Sequence, residues 1–256
     1  ALDGRIAAIA AHGQLDVSAD RELDATGRFV LPGVIDGHVH FRDPGLTWKE
    51  DFETGSRAAV MGGVTTVLDM PNTLPPTGSL AHARDKAERL DGRAWCDVGL
   101  IGLVSEEGLG ELRPMAESGL VVGFKAFLAT TTGDLARPSD GALLDAMRVI
   151  AGLGMRLGVH AEDDEIVAHE TARLRAAGRR DPLAHVESRP AVAEAESIGR
   201  VGLLASETGC PVHVFHVSSR QGLEMVDLWR GRGVDMTTEA TPHHCLLGAE
   251  DMATLG

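Results

Sequence analysis

The stretch VIDGHVHFRDPGLTWKEDFETGSRAAVMGGVTTVLDM, residues 34–70, opens with an apolar run that ends in polar residues (34–40). A segment with helical spacing (49–61), a Gly62-Gly63 turn and a second apolar run (64–70) follow it. Outward from this unit the pattern repeats, with apolar runs at 95–103, 121–128, 155–161, 211–217 and 234–240. Helical spacing fills the gaps at 79–90, 108–118, 139–151, 163–208 and 219–230. Near-continuous apolar strands alternating with helices predict an α/β fold in which helices cover a parallel sheet. Seven repeats point to a TIM-like (β/α)8 barrel, one strand short, rather than a doubly wound sheet.

Before Gly33 the texture changes. Residues 4–9, 22–24 and 28–30 read as short strands joined by turns, so residues 1–32 are assigned to a small β-rich module and 33–256 to the barrel. The chain starts abruptly in a strand-like run and stops soon after Ala240, and both ends read as incomplete.

Composition narrows the function. A chain of 256 residues, 43% hydrophobic and 24% charged, has globular proportions and can bury a substantial core. Its net charge of −14 disfavours nucleic acid as a partner. No signal-peptide pattern and no long uninterrupted apolar run occur, which predicts a cytoplasmic protein that does not engage membranes. Cys96, Cys210 and Cys245 are odd in number, lack short spacings and read as core thiols.

In a parallel barrel the chemistry sits at the C-terminal ends of the strands. The first run ends with His38 and His40, which an extended chain turns to one face, and two imidazoles converging there make half of a divalent metal site. An isolated His-x-His also arises by chance or as a satisfied surface pair; the pattern gains weight because His160 and His216 fall at equivalent ends. His213, three residues before His216, is expected to face the opposite way, between sheet and helices, unless a bulge intervenes. Lys125, flanked by Phe124, Ala126, Phe127 and Leu128, is either a snorkelling lysine or a buried amine whose lowered pKa lets it capture carbon dioxide as a carbamate.

These residues lie within ordered motifs: 32–45 around His38-Val39-His40, Gly62-Gly63-Val64-Thr65-Thr66, Met70-Pro71-Asn72-Thr73, Gly123-Phe124-Lys125-Ala126-Phe127, His160-Ala161-Glu162-Asp163, His216-Val217-Ser218-Ser219 and 239–244. Together they resemble the cyclic amidohydrolases of the dihydroorotase, allantoinase and hydantoinase group, over essentially the whole chain. The resemblance implies a metal-dependent barrel with a small β-sandwich built from both termini, to which residues 1–32 would contribute. It implies two divalent cations, zinc by expectation, one on His38 and His40 and one on His160 and His216, bridged by carbamylated Lys125. Arg42 and Asn72 match the pair that holds a substrate carboxylate in dihydroorotases; alternatively Arg42 pairs with Asp43 or Glu50 at a loop surface. The family's eighth strand carries a catalytic aspartate that no residue after Glu239 supplies here.

The expected activity is therefore a dihydroorotase, closing N-carbamoyl-aspartate to dihydroorotate, because the resemblance associates His-x-His-x-Arg with that branch. An allantoinase or hydantoinase, and an inactive assembly subunit, are the alternatives. Its partners would be a small cyclic amide or ureide and further copies of itself in a dimer or tetramer. Structural roles are expected for Asp69, for the 162–165 carboxylates at a helix start, and for His12, His82, His169 and His185 as surface groups.

Overall fold

The computed structural model describes residues 5–11, 13–14, 18–131 and 135–255. Gly4 and His12, named above, lie outside the described residues. The chain divides into two compact units, Ala1–Pro32 and Gly33–Gly256.

In the first unit Arg5 carries an isolated β-bridge, and the expected strands at 22–24 and 28–30 are not formed. The backbone bonds found within it are local turns, from the Gln14 N–H to the Ala11 carbonyl and from the Arg28 N–H to the Ala25 carbonyl. A β-prone run becomes a strand only when a neighbour takes up its backbone groups, and the runs at 22–24 and 28–30 form no such pairing.

The second unit is a seven-stranded parallel sheet: β1 (Val34–Val39), β2 (Val64–Asp69), β3 (Asp97–Leu103), β4 (Val121–Phe127), β5 (Leu157–His160), β6 (Val212–Val214) and β7 (Met236–Thr238). Spatial order equals chain order. Between strands run α1 (Phe52–Met61), α2 (Leu80–Leu90), α3 (Leu112–Glu117), α4 (Asp140–Gly152), α5 (Asp164–Ala176), α6 (Pro182–Glu187), α7 (Ala191–Thr208) and α8 (Arg220–Gly231). After β7 come the short helices α9 (Pro242–Leu246) and α10 (Met252–Leu255). The long helical stretch is thus three helices, and the expected parallel α/β sheet is present in strand order one to seven.

Helix starts are set by side chains that take an otherwise unpaired N–H: Asp51 from Thr54, Ser79 from His82, Ser139 from Ala142, Asp163 from Ile166 and Ser219 from Gly222. Helix α7 ends at Gly209, whose φ of 68° is the left-handed turn that favours glycine.

Alternation along the strands sorts the two faces. Leu157, Val159, Val212 and Val214 join Phe124 and Ala126 in the main core, against Met115, Leu143, Met147, Ile150, Ile198, Val201 and Trp229 from the helices. The residues between them turn inward: Lys125 lies opposite Gly158, Gly158 opposite His213, and His213 opposite Thr237, one row crossing four strands. A Cβ on Gly158 would stand 2.1 Å from the Phe215 ring, so the missing side chain makes room for that aromatic. The sheet curls far enough that His38 on β1 bonds Glu239, just past β7, at 2.6 Å.

Among the thiols only Cys210 is buried; Cys96 is half-buried and Cys245 exposed, which corrects the expectation of three core cysteines. Cys245 sits in a five-residue helix with no buried face.

Candidate active site at the strand ends

His38, His40, Lys125, His160 and His216 are brought to the same end of the sheet. His38 Nε2 lies 3.2 Å from His40 Nε2, and His160 Nδ1 lies 3.1 Å from His216 Nε2. The two pairs face each other, with the His38 and His216 rings 5.3 Å apart between centroids. Lys125, 1% exposed, reaches His38 Nε2 at 3.1 Å. Its ammonium also lies 4.3 Å from the Phe215 ring centre and 4.8 Å from that of Phe127. Lys125 is therefore buried inward, not snorkelling.

His213 overturns its expected placement. Its neighbours Val212 and Val214 fill the helix-facing core, while its own Nδ1 meets the Thr237 hydroxyl at 2.8 Å and its Nε2 lies 3.4 Å from Glu239. Strand β6 stops at Val214, and His216 adopts a φ of 41°. That left-handed step breaks the alternation, so residues three apart both reach the interior. Arg42 holds a φ of 62°, and such positions in residues other than glycine concentrate at functional sites.

Two carboxylates join the site that the sequence reading had not placed there. Glu239 takes a hydrogen bond from His38 Nδ1, and Glu162 one from His160 Nε2 at 2.7 Å. Glu162 stands before the Asp163 cap rather than in the helix, and Arg189 donates to the same Oε2 that His160 meets, at 2.5 Å. The available signals were spacing: Glu162 is two residues beyond His160, and Glu239 occupies the strand-end position of β7. Arg189, from the turn after α6, gave no local signal.

Electrostatics favour the neutral form of His38, His40 and His216. Burial lowers His38, with Glu239 opposing it; burial and the charges of Lys125 and Arg42 take His40 to about 2. Burial, His160 and Lys125 take His216 to about 3. Burial also lowers Lys125 to about 7, against the pull of Glu239. For Glu162, burial is outweighed by the bonds from His160 and Arg189, leaving it at about 2. Glu239 is likewise desolvated, yet its bonds to His213 and His38 hold it below the ordinary carboxylate range.

Among the described residues no three or more His, Cys, Asp or Glu side chains already surround a common ion position. The imidazoles instead meet as hydrogen-bonded pairs. Their chemistry and spacing nevertheless fit a cation: two nitrogens about 2.0–2.1 Å from one tetrahedral ion lie roughly 3.3 Å apart.

Arg42 donates through Nη1 to the Asn72 carbonyl at 3.3 Å and pairs with neither Asp43, which binds Arg93 at 2.9 Å, nor Glu50. Asn72 is buried, and its side-chain oxygen has no partner. Asp69 is structural as expected, taking the Phe41 N–H at 2.9 Å and facing Lys86 Nζ at 2.6 Å. His169 and His185 are exposed as expected, whereas His82 is half-buried on α2. An open hollow of ≈ 410 Å³ beside His160 is lined by Thr130, Thr131, Glu162, His185 and Arg189. Among the described residues no helix is long and apolar enough to cross a membrane.

Comparison with known proteins agrees with this architecture. Residues 27–222 match the family model described as dihydro-orotase-like. The chain is 42% identical over 256 residues to an allantoinase of Solibacter usitatus, covering 99% of this chain and 55% of that protein. It is 37% identical to an L-hydantoinase of Paenarthrobacter aurescens, covering 99% of this chain and 56% of that protein. The solved L-hydantoinase (dihydropyrimidinase) from Arthrobacter aurescens superposes with a TM-score of 0.94 at 37% identity, again over 99% of this chain and 56% of that one. The chain thus spans about half the length of these relatives. Curled parallel sheet, strand-end histidines and sequence likeness together make this chain a member of the dihydro-orotase-like family of cyclic amidohydrolases.

Proposed function

We propose that the whole protein hydrolyses a cyclic ureide of the hydantoin type, as an allantoinase or hydantoinase, with His38 and His40 holding one divalent cation and His160 and His216 a second. The observation that carries this is the meeting of two imidazole pairs around one buried lysine at the strand ends. The likeness to an allantoinase and to hydantoinases favours this substrate class over dihydroorotate, which the Arg42 motif alone had favoured. Cations bound there would polarise the scissile ring carbonyl and activate a water.

The chain's own residues do the rest. Lys125, with its pKa lowered to about 7, is substantially a neutral amine near neutrality, the form that would add carbon dioxide and release a proton to give a carbamate whose oxygens could serve as further cation ligands. The Asn72 side-chain oxygen offers a buried acceptor to a ring N–H, and the Arg42 guanidinium beside it a donor to a ring carbonyl. The hollow next to His160 accommodates a small ring and its substituent.

The test is turnover of allantoin, hydantoin and dihydroorotate by the whole protein, loaded with zinc, manganese or cobalt in bicarbonate buffer. Ring opening of allantoin or hydantoin at a kcat/KM at least tenfold above dihydroorotate is expected. A preference for dihydroorotate that falls about a hundredfold in Arg42→Ala would restore the carboxylate-binding role of Arg42 and overturn the ureide reading. Metal uptake with no turnover of any of the three would support the non-catalytic alternative.

A further inference from the structure

The hydrogen bonds around the site show an order that the ligand set alone does not explain. In each imidazole pair one ring is backed by a carboxylate: His38 by Glu239, at 2.6 Å, and His160 by Glu162, at 2.7 Å. The backed nitrogen is Nδ1 in His38 and Nε2 in His160, so the nitrogens turned into the site are Nε2 and Nδ1 respectively. Each carboxylate is itself held by a further group. Arg189 donates to the Glu162 oxygen that His160 also meets, and Glu239 presents its second oxygen to His213 Nε2 at 3.4 Å, with the Thr237 hydroxyl at His213 Nδ1. Glu239 is also pinned through its backbone, its N–H bonding the Val214 carbonyl and its carbonyl taking the Val217 N–H.

We propose that Glu239 and Glu162 are the positioning residues of the two cation sites, each fixing the tautomer and ring plane of one histidine so that a bare nitrogen faces the ion. This rests on the two-cation reading above. A neutral imidazole carries one hydrogen, and whichever nitrogen donates to a fixed acceptor leaves the other with its lone pair free. A partner behind a ligating histidine therefore decides which nitrogen can bind. The two carboxylates have unequal tasks. An imidazole side chain free in water prefers its hydrogen on Nε2, so His160 is held in the tautomer it already favours and Glu162 chiefly fixes its ring plane. His38 is held in the opposite tautomer. Without Glu239 its hydrogen returns to Nε2, where it occupies the lone pair that the cation needs.

The experiment uses the whole protein labelled with ¹⁵N in its histidine rings, comparing wild type with Glu239→Met and Glu162→Met, which keep length but accept no hydrogen bond. Glu239→Gln, whose amide oxygen still accepts, serves as the conservative variant. In metal-free protein the ring ¹⁵N shifts of His38 are expected to report the Nδ1–H form in wild type and Glu239→Gln, and the Nε2–H form in Glu239→Met. His160 should remain Nε2–H in both wild type and Glu162→Met. Zinc affinity, measured by competition with a chromophoric chelator, should fall about 10–100-fold in Glu239→Met. The fall should be smaller in Glu162→Met, and Glu239→Gln should recover most of the loss. An unchanged His38 tautomer in Glu239→Met, or equal affinities across the set, overturns the proposal. A wild type that shows the stated tautomers yet takes up no zinc, manganese or cobalt overturns the two-cation reading instead.

Discussion

Replacing Lys125 with methionine isolates the energetic cost of holding an amine inside the sheet. The side chain is 1% exposed and its pKa is lowered from 10.5 to about 7 by burial. Between those two values the unfolded chain binds a proton at Lys125 that the folded chain does not, so stability rises with pH across that window. Below the folded value both states are protonated and the contribution is flat at its least favourable level. Each pKa unit of difference is worth about 1.4 kcal/mol, so raising the pH from 7 to 9 should recover about 2 kcal/mol in the wild type. In Lys125→Met this dependence is absent, while every other titrating group is shared. The assay is urea unfolding of metal-free protein in buffer freed of carbon dioxide, at half-unit steps from pH 6 to pH 9. The difference between variant and wild type should be nearly flat from pH 6 to pH 7 and then shrink by about 2 kcal/mol by pH 9. Stability curves that stay parallel over the whole range would refute the assignment of Lys125 as a desolvated amine.

Two further perturbations probe the scaffold. Asp69→Asn strands the Lys86 ammonium, which lies 2.6 Å from the carboxylate with both side chains essentially unexposed. Breaking such a buried pair from one side should cost about 3–5 kcal/mol in urea unfolding, and a loss under about 1 kcal/mol would show that the lysine finds another partner. Gly158→Ala places a Cβ 2.1 Å from the Phe215 ring that covers Lys125. Overpacking of about 1–3 kcal/mol and weaker zinc binding are expected by thermal unfolding and chelator competition, and wild-type values in both would show that Phe215 moves freely.

Strands and helices of the second unit were legible because both of their periods are written in side chains, and because serines and aspartates mark the helix starts. The inward row was legible in part. Lys125 announced itself as a charge among phenylalanines, and the His38–His40 spacing placed both rings on one face. His213 was misplaced because alternation was carried past Val214, where the backbone of His216 turns left-handed. Glu162 looked like a helix-start carboxylate until the true cap proved to be Asp163. Arg189 could not be found at all, since its approach to Glu162 depends on how α5, α6 and α7 pack. The strands expected at 22–24 and 28–30 are not formed for another reason: β propensity describes how a residue fits beside a neighbour, and the neighbour was assumed.

The bond between His38 and Glu239 joins positions 201 residues apart, while each strand pairs with the one next to it in the chain. Local pairings of this kind form readily, but the cost of closing a loop grows with its length, so the contact between the sheet's outermost strands belongs to the last stage of assembly. On a ribosome, His38 and His40 emerge before Lys125, His160 and His216. The nascent protein therefore carries one imidazole pair without its backing carboxylate until residue 239 has been added. The bond that backs His38 can therefore form only after β7 has joined the sheet.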